Sequence, residues 1–238
     1  MIELEPSGDG PVRMRLDRPP VNALDLEFVQ AITAAIARAI DEGAPAVVLT
    51  GQGPCFCAGI DTKLVPTYTD EQRRAAIGAI NTMVSALYGA PVPIVAALNG
   101  HALGGGLVLA LACDLRLASA GEYQLALNEV AAGVPFPAGP LAVVRAELDA
   151  PVVRDLCLTG RAVGPAEALA LRLVDELAEP DELLESALER ARQLASHSAY
   201  GIVKRQLRGA LAAELERIAI AGDDPLLRVG RVRESPLG

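Results

Sequence analysis

The chain contains no tryptophan and only 3% aromatic residues, so its core must be built from Ala, Val, Leu and Ile. It also lacks an excess of basic residues. The formal net charge is −9, and no basic stripe stands out, which argues against nucleic acid as the main partner. With 238 residues, of which 51% are hydrophobic, the chain can bury a sizeable core. Bulk disorder is therefore not expected.

The hydropathy of the sequence predicts neither a signal peptide nor a membrane span. The first residues have neither a basic start nor an apolar run. Residues 75–113 carry no Asp, Glu, Lys or Arg, but Pro91, Pro93, Asn99 and the glycines at 104–106 interrupt this stretch. No apolar run of about 18 residues remains. We therefore expect a buried core segment in a cytoplasmic protein that does not bind membranes.

Cysteine is present, but not in a pattern that binds metal. Cys55 and Cys57 lie two residues apart without a matching second pair, and Cys113 and Cys157 stand alone. Such spacing does not resemble that of a zinc site. Without a secretory signal, reduced thiols are the default. We expect no metal site.

The apolar periodicity predicts an alternation of helices and strands. Alternation over residues 2–5 and 12–16 predicts a hairpin. From residue 20 onward the order is helix, strand, helix, strand, helix, strand, which predicts βα crossovers and buried parallel strands. The helices are predicted at 26–40, 69–87 and from the glycine triplet onward, and the strands at 46–50, 94–98 and 114–118. The later half is mainly helical, with helices predicted at 164–171, 181–195 and 199–221.

Two of the predicted strands run directly into glycine-bearing loops. The first loop covers residues 51–61 (GQGPCFCAGID) and the second covers residues 99–106 (NGHALGGG). Glycine allows a backbone to approach a ligand closely, and a helix that begins at Gly105 or Gly106 would aim free N–H groups at an anion. Dinucleotide binding is disfavoured, because Pro54 interrupts the glycine pattern of the first loop and Leu109 stands where the second pattern would need its third glycine.

The order of several motifs resembles the crotonase (enoyl-CoA hydratase/isomerase) superfamily. The resemblance rests on residues 16–24 (LDRPPVNAL), 56–61 (FCAGID), 93–106 (PIVAALNGHALGGG), 112–114 (ACD), 158–161 (LTGR) and 166–168 (AEA). It covers about residues 12–205. It implies an α/β fold with a crotonase-like ββα spiral core over 1–195. It also implies a helical C-terminal segment of the trimerisation type over 196–238, whose last residues we expect to be poorly ordered.

The resemblance also implies a role for each loop. In crotonases, a thioester carbonyl accepts two backbone N–H bonds, which fall here on Ile60 and Gly105. Fixed amide donors stabilise the enolate oxygen that forms during acyl-CoA chemistry. Contacts with the substrate and its coenzyme A part fall on Ala23, Leu24, Ala58, Asp61, Thr62, Lys63, Gly104 and Val108. No permanently bound cofactor is implied, because coenzyme A arrives as part of the substrate.

The acid and base groups separate the members of this superfamily. Its hydratases carry two glutamates, and the first of these positions is occupied here by Val108, which cannot move a proton. The second falls on Glu129 in the segment 127–133 (LNEVAAG), which resembles Δ3,Δ2-enoyl-CoA isomerases. Moving a double bond needs one base, and a glutamate whose pKa is raised in an apolar pocket suits that task. We therefore predict an isomerase of fatty acid metabolism with Glu129 as its base.

Two other interpretations stay open at this stage. One is another crotonase-type reaction, such as hydration, thioester hydrolysis or C–C cleavage. The other is a non-catalytic acyl-CoA-binding subunit that retains the two loops. Residues 223–238 depart from the usual C-terminal pattern of the family, in the region that helps to close the acyl pocket and to build trimers. A homotrimer or a dimer of trimers is expected from the resemblance alone.

Overall fold

The computed structural model describes residues 1–6 and 8–228, and that part contains ten strands and nine helices. The elements predicted from the sequence appear among them in the predicted order. The strands are β1 Ile2–Pro6, β2 Val12–Leu16, β3 Val47–Gly51, β4 Cys55–Cys57, β5 Ile94–Leu98, β6 His101–Leu103, β7 Leu115–Ser119, β8 Leu125–Ala126, β9 Ala162–Val163 and β10 Glu176–Ala178. The helices are α1 Leu26–Asp41, α2 Asp70–Tyr88, α3 Gly105–Leu111, α4 Glu129–Ala132, α5 Ala138–Glu147, α6 Ala150–Thr159, α7 Pro165–Ala170, α8 Leu183–Ala195 and α9 Tyr200–Ala221. Short 3-10 turns cover Val65–Thr67 and Pro225–Arg228.

The larger sheet has six strands in the order β1-β2-β3-β5-β7-β10. β1 and β2 form the predicted antiparallel hairpin, and every other pairing in this sheet is parallel. All residues of β3 and β5 are buried, as expected for parallel strands that are covered on both faces. The α/β fold class predicted from the sequence is confirmed.

Both faces of this sheet pack against helices. Val47 and Leu49 of β3 belong to the main core, which includes residues of α1, α2, α3 and α5. Val48 points to the opposite face, where Ala187 and Ala191 of α8 cover it. The period of two along a strand produces this division, because neighbouring side chains point to opposite faces.

A second, smaller sheet was not predicted from the sequence. Its order is β4-β6-β8-β9, and its strands have only two or three residues each. Such strands are too short to show a period of two, which explains why they were missed. β4, β6 and β8 are parallel to one another. The residues that follow them along the chain therefore meet at one edge of this sheet.

The C-terminal helix α9 is fixed to the core by buried charges. Lys204 of α9 donates to Asp114 over 2.7 Å, and Arg208 donates to both Asp114 and Glu147 over 3.0 Å. The guanidinium of Arg208 also lies over the ring of Tyr88, 4.3 Å from its centroid. Asp114 therefore has a structural role between β5, β7 and α9.

After α9 the described chain continues to residue 228. Asp224 is buried and accepts hydrogen bonds from three groups, so residues 222–228 are held against the core. The expectation of poor order covered residues 222–238, of which residues 229–238 lie outside the described part. No helix within residues 1–6 and 8–228 is both long and apolar enough to cross a membrane.

Candidate active site

Three segments that follow the parallel strands of the smaller sheet meet at its edge. Residues 58–60 follow β4, residues 104–106 follow β6, and residues 127–129 follow β8. The strand β4 that leads into the first segment is held by Asn22, whose buried side-chain amide donates to the carbonyl oxygens of Cys55 at 2.8 Å and Phe56 at 3.2 Å. The sequence thus positions this loop through one amide side chain from the preceding motif.

The backbone N–H of Ile60 points away from the neighbouring segment that contains Leu24. An isolated parallel bridge joins Ile60 to Leu24. Its two bonds run from Leu24 N–H to Gly59 O at 2.7 Å and from Asp61 N–H to Leu24 O at 2.8 Å. In such a bridge, the N–H of the central residue points to the other side. Among residues 1–6 and 8–228 we find no acceptor for the N–H of Ile60.

Gly105 supplies a second backbone amide of this kind. It is the first residue of α3, where the N–H has no partner inside the helix. The preceding Gly104 has φ +50° and donates its own N–H to Ala126 O at 2.7 Å. This positive φ turns the chain sharply between β6 and α3. The N–H of Gly105 has no protein acceptor in the part of the chain that the structure describes.

The two loops touch so closely that a side chain would not fit between them. A methyl group on Gly59 would lie 2.4 Å from Leu103 O and 3.1 Å from the amide nitrogen of Gly105. A methyl group on Gly106 would lie 2.1 Å from Cys57 O. Glycine at these positions is therefore a consequence of backbone contact, and this contact brings the segment of Ile60 next to Gly105.

Glu129 follows β8 and begins the short helix α4. Its side chain is buried, with 8% of the residue exposed, and its Oε2 atom has no hydrogen-bond partner in the described protein. Burial raises its pKa to about 7. The carboxylate lies against Gly104, where a methyl group would be 3.6 Å from Oε1. A carboxyl group with this pKa can accept and return a proton near neutral pH.

A small cavity of about 30 Å³ connects these groups. Ile60, Gly105, Val108 and Glu129 all contribute to its walls, and Glu129 is the only ionisable residue among its described lining residues. Val108, at the other of the two glutamate positions named above, is buried with 1% exposed. A valine side chain cannot carry a proton. Its walls combine two backbone amides and one carboxyl oxygen, Oε2 of Glu129, that have no partner in the described protein.

A larger cavity of about 620 Å³ opens next to the small one. The two share the wall residues Leu24, Ile60, Ile80, Val134, Pro135 and Pro137. The larger cavity extends along α2 to Arg73 and Arg74 and is bounded by Leu226 and Leu227 from the C-terminal segment. It has room for a long acyl chain or for part of a coenzyme.

The structure brings some of the predicted substrate-contacting residues to these cavities and leaves others away from them. Leu24, Thr62 and Val108 line one or both cavities, whereas Ala23, Ala58 and Lys63 line neither. Lys63 is exposed.

Asp61 is also absent from the cavity walls; it forms an ion pair with Arg18 at 3.5 Å and two bonds within its own loop. Its Oδ1 accepts the backbone N–H groups of Lys63 and Leu64 at 3.0 Å. These bonds, the one from Leu64 above all, lower the pKa of Asp61. Asp61 therefore braces the loop.

The walls that α2 contributes were not predicted from the sequence. Val84, Ile80, Ile77 and Arg73 follow one another at spacings of three or four residues, so they share one face of the helix. This pattern indicates a common face, but it does not indicate that the face borders an open cavity. Among the described residues, no group of three or more His, Cys, Asp or Glu side chains could hold a metal ion.

Comparison with known proteins points to one family. The sequence model described as enoyl-CoA hydratase/isomerase matches residues 8–225. The probable enoyl-CoA hydratase EchA17 of Mycobacterium avium strain 104 is 33% identical over 185 residues, which are 77% of this chain and 72% of that protein.

Solved structures agree with this result. The probable enoyl-CoA hydratase EchA3 of Mycobacterium tuberculosis H37Rv matches with a TM-score of 0.85 and 28% identity, over 93% of each chain. Human mitochondrial Δ3,Δ2-enoyl-CoA isomerase matches with a TM-score of 0.86 and 27% identity, over 93% of this chain and 88% of that one.

Proposed function

The chain belongs to the enoyl-CoA hydratase/isomerase family, and on that premise we propose that it converts 3-enoyl-CoA into 2-enoyl-CoA thioesters with Glu129 as its only proton carrier. The observation that supports this choice is the composition of the small cavity. Glu129 is the one ionisable residue among its described lining residues, and the first glutamate position of the hydratases is occupied by the buried Val108.

The two backbone amides are assigned to the thioester. Its carbonyl oxygen accepts the N–H groups of Ile60 and Gly105, which have no protein acceptor among the described residues. Negative charge grows on this oxygen when a proton leaves C2, because the product of that step is an enolate. Each preorganised donor contributes about 3 kcal/mol to the stabilisation of such a charge.

Glu129 is assigned both proton transfers. Its carboxylate removes a proton from C2, the electron pair delocalises onto the thioester oxygen, and the same carboxyl group returns the proton at C4. The double bond thereby moves from C3–C4 to C2–C3 without a net change in protons. A pKa of about 7 suits this cycle, because the group is partly ionised at neutral pH and still basic enough to accept the proton.

Hydration is the second candidate, and it is favoured by the names of relatives. The mycobacterial proteins compared above are named as probable enoyl-CoA hydratases. Addition of water to C2=C3 requires activation of that water, and Glu129 would have to perform this step without a second carboxylate at position 108. Thioester hydrolysis, C–C cleavage and non-catalytic acyl-CoA binding have no separate observation in their favour.

Assembly as a homotrimer or dimer of trimers, with α9 in the contact, is part of the proposal. Ile202, Val203 and Leu207 of α9 are exposed, and Leu207 is 80% exposed. An apolar helix face of this kind favours contact with another chain. Light scattering on the purified protein measures the mass directly, and a monomer at micromolar concentration would contradict this element.

The deciding experiment compares two substrates and two variants. We expect purified protein to produce the absorbance of a conjugated thioester from 3-enoyl-CoA, and to hydrate 2-enoyl-CoA much more slowly. Glu129→Gln should lower isomerisation by roughly 10²–10⁴-fold, which is the usual contribution of a general base. Glu122→Gln is the matched control, because Glu122 is exposed.

Three outcomes can be distinguished. Faster hydration than isomerisation would favour the hydratase alternative. Full isomerase activity in Glu129→Gln would remove Glu129 from the mechanism. Binding of acyl-CoA without turnover would favour the non-catalytic alternative.

A further inference from the structure

Arg73 lies on the wall of the larger cavity without a binding partner. Its Nε atom is buried and has no hydrogen bond, and its guanidinium forms no ion pair with any residue in 1–6 or 8–228. A buried donor that is left unsatisfied costs about 1–3 kcal/mol. Arg73 also lies in the first turns of α2, where the helix dipole disfavours a cation. An anion in the cavity would relieve both costs.

Asp25, a carboxylate on the same wall, does not supply that anion. Asp25 caps α1 through Phe28 N–H at 2.8 Å and binds Arg18 at 2.5 Å. The ion pair of Asp25 is therefore with Arg18 and not with Arg73. Arg74, the next residue, adds a second positive charge to this end of the cavity.

The path from Glu129 to Arg73 is apolar. The two cavities share Ile80, Val134, Pro135 and Pro137 on the side of Glu129. Beyond this wall, Ala76 and Ile77 of α2 and Leu226 of the C-terminal segment continue the surface towards Arg73. Seven residues of helix separate Ile80 from Arg73, which corresponds to about 10 Å along α2. An acyl chain that passes Glu129 would therefore reach the two arginines after an apolar stretch.

We propose that the larger cavity selects acyl thioesters whose chain ends in a carboxylate, and that Arg73 binds this carboxylate. The inference rests on the proposed function, because the position of the thioester at Ile60 and Gly105 determines the direction of the chain. Arginine suits this role, since its planar guanidinium binds carboxylates through paired hydrogen bonds. The apolar stretch excludes short charged acyl groups, and the arginines favour a charged end over a methyl end.

The test is a binding measurement that requires no turnover. Saturated dicarboxylyl-CoA and monocarboxylyl-CoA thioesters of equal chain length are titrated into the intact protein by calorimetry, over a series of lengths. We expect the best dicarboxylyl ligand to bind at least about tenfold more tightly than its partner. Arg73→Gln should remove this preference and leave the affinity for the monocarboxylyl ligand unchanged. Arg38→Gln is the matched control, because Arg38 is an exposed arginine on α1 outside both cavities.

A second arm separates the acyl carboxylate from the phosphates of coenzyme A. The same acyl groups are offered as N-acetylcysteamine thioesters, which carry no phosphate. The proposal expects the preference, and its loss in Arg73→Gln, to persist in these ligands. Arg73→Gln could instead weaken the binding of both CoA thioesters equally and leave the binding of both N-acetylcysteamine thioesters unchanged. Arg73 would then bind a phosphate, and the proposal would be overturned. Equal binding of the two CoA ligands by the unaltered protein overturns it as well.

Failure of the proposed function has a different signature. An absence of isomerisation in the turnover assay leaves the binding preference intact if the inference is right. If the protein isomerises 3-enoyl-CoA but shows no preference for a carboxylate end, the proposed function stands and the inference about Arg73 is overturned.

Discussion

Asn81 of α2 donates a hydrogen bond to Asp224 near the C-terminal end of the described chain, with 2.8 Å between Nδ2 and Oδ2 and 143 positions between the two residues. Both residues are buried, at 1% and 3% exposure. The pair also satisfies the first amides of α5, because Ala138 N–H donates to Asp224 and Gly139 N–H donates to Asn81. Since Pro137, which precedes α5, lines both cavities, the pair holds a wall of the candidate site.

We expect Asp224→Ala to lower the free energy of unfolding by about 3 kcal/mol. The substitution leaves the Asn81 amide and the Ala138 N–H without an acceptor in a buried place, and each such group is costly. Denaturant titration measures the change. Asp41→Ala, at an exposed position, should change stability by less than about 0.5 kcal/mol. Equal effects in the two variants would show that the buried pair contributes no special stability.

The pH dependence of isomerisation should follow the ionisation of Glu129. The base must be ionised to accept a proton from C2, and burial raises its pKa to about 7. We therefore expect kcat/KM to rise about tenfold per pH unit below pH 7 and to level off above it. Initial rates across this range provide the measurement. A midpoint near the ordinary glutamate pKa would contradict a desolvated base.

The same carboxyl group should reduce stability at alkaline pH. Its pKa is raised from 4.5 to about 7 on folding, so its favourable contribution is fully present below about pH 4.5 and is lost as the pH rises through about 7. Gln stays neutral at every pH. Glu129→Gln should therefore be more stable than the unaltered protein at pH 8, by about 2 kcal/mol.

Urea unfolding of both proteins at pH 5 and pH 8 tests this relationship. The stability difference should shrink at the lower pH. A difference that is the same at both pH values would show that the substitution acts through packing and not through charge.

Gly59 and Gly53 offer a matched pair for testing the contact between the two loops. Their φ angles are +76° and +78°, so alanine is strained to a similar degree at both positions. Only at Gly59 would the new methyl group collide, at 2.4 Å from Leu103 O, whereas nothing lies within 4 Å at Gly53.

We expect Gly59→Ala to lower kcat by roughly 10²-fold or more, because it would displace one amide donor from the other. Gly53→Ala should retain kcat and lose only the stability that its backbone strain costs, which unfolding measurements quantify. Retention of full kcat in a folded Gly59→Ala protein would contradict the role of the paired amides.

Much of the larger sheet could be predicted from local patterns. The strand predicted at 94–98 is observed at Ile94–Leu98, and the helix predicted at 199–221 is observed at Tyr200–Ala221. Asp25, a typical N-cap residue directly before the helix predicted at 26–40, accepts a hydrogen bond from Phe28 N–H. The strand is a continuous apolar run, the last helix is long, and the first helix carries a clear cap, and sequence patterns report each of these features well.

The candidate site was predictable only in part. Ile60, Gly105 and Glu129 were chosen from motifs, and these motifs carry no information on the wall that α2 contributes. Arg73 and Ile80 were not selected, because an amphipathic helix face has the same pattern whether it meets a packed core or an open cavity. Lys63 was selected from its motif, yet it borders neither cavity.

The sequence by itself determined the long helices α1, α2, α8 and α9, the strands β3, β5 and β7 of the larger sheet and the glycines, because propensity, periodicity and backbone freedom are local properties. It also determined that position 108 is apolar and that position 129 carries a carboxyl group. Only the tertiary structure decided that β4, β6 and β8 lie side by side and bring Ile60, Gly105 and Glu129 to one cavity. The raised pKa of Glu129, the unpaired Arg73 and the contact between Asn81 and Asp224 depend on the same long-range packing, since desolvation and pairing arise from groups that are distant in the chain.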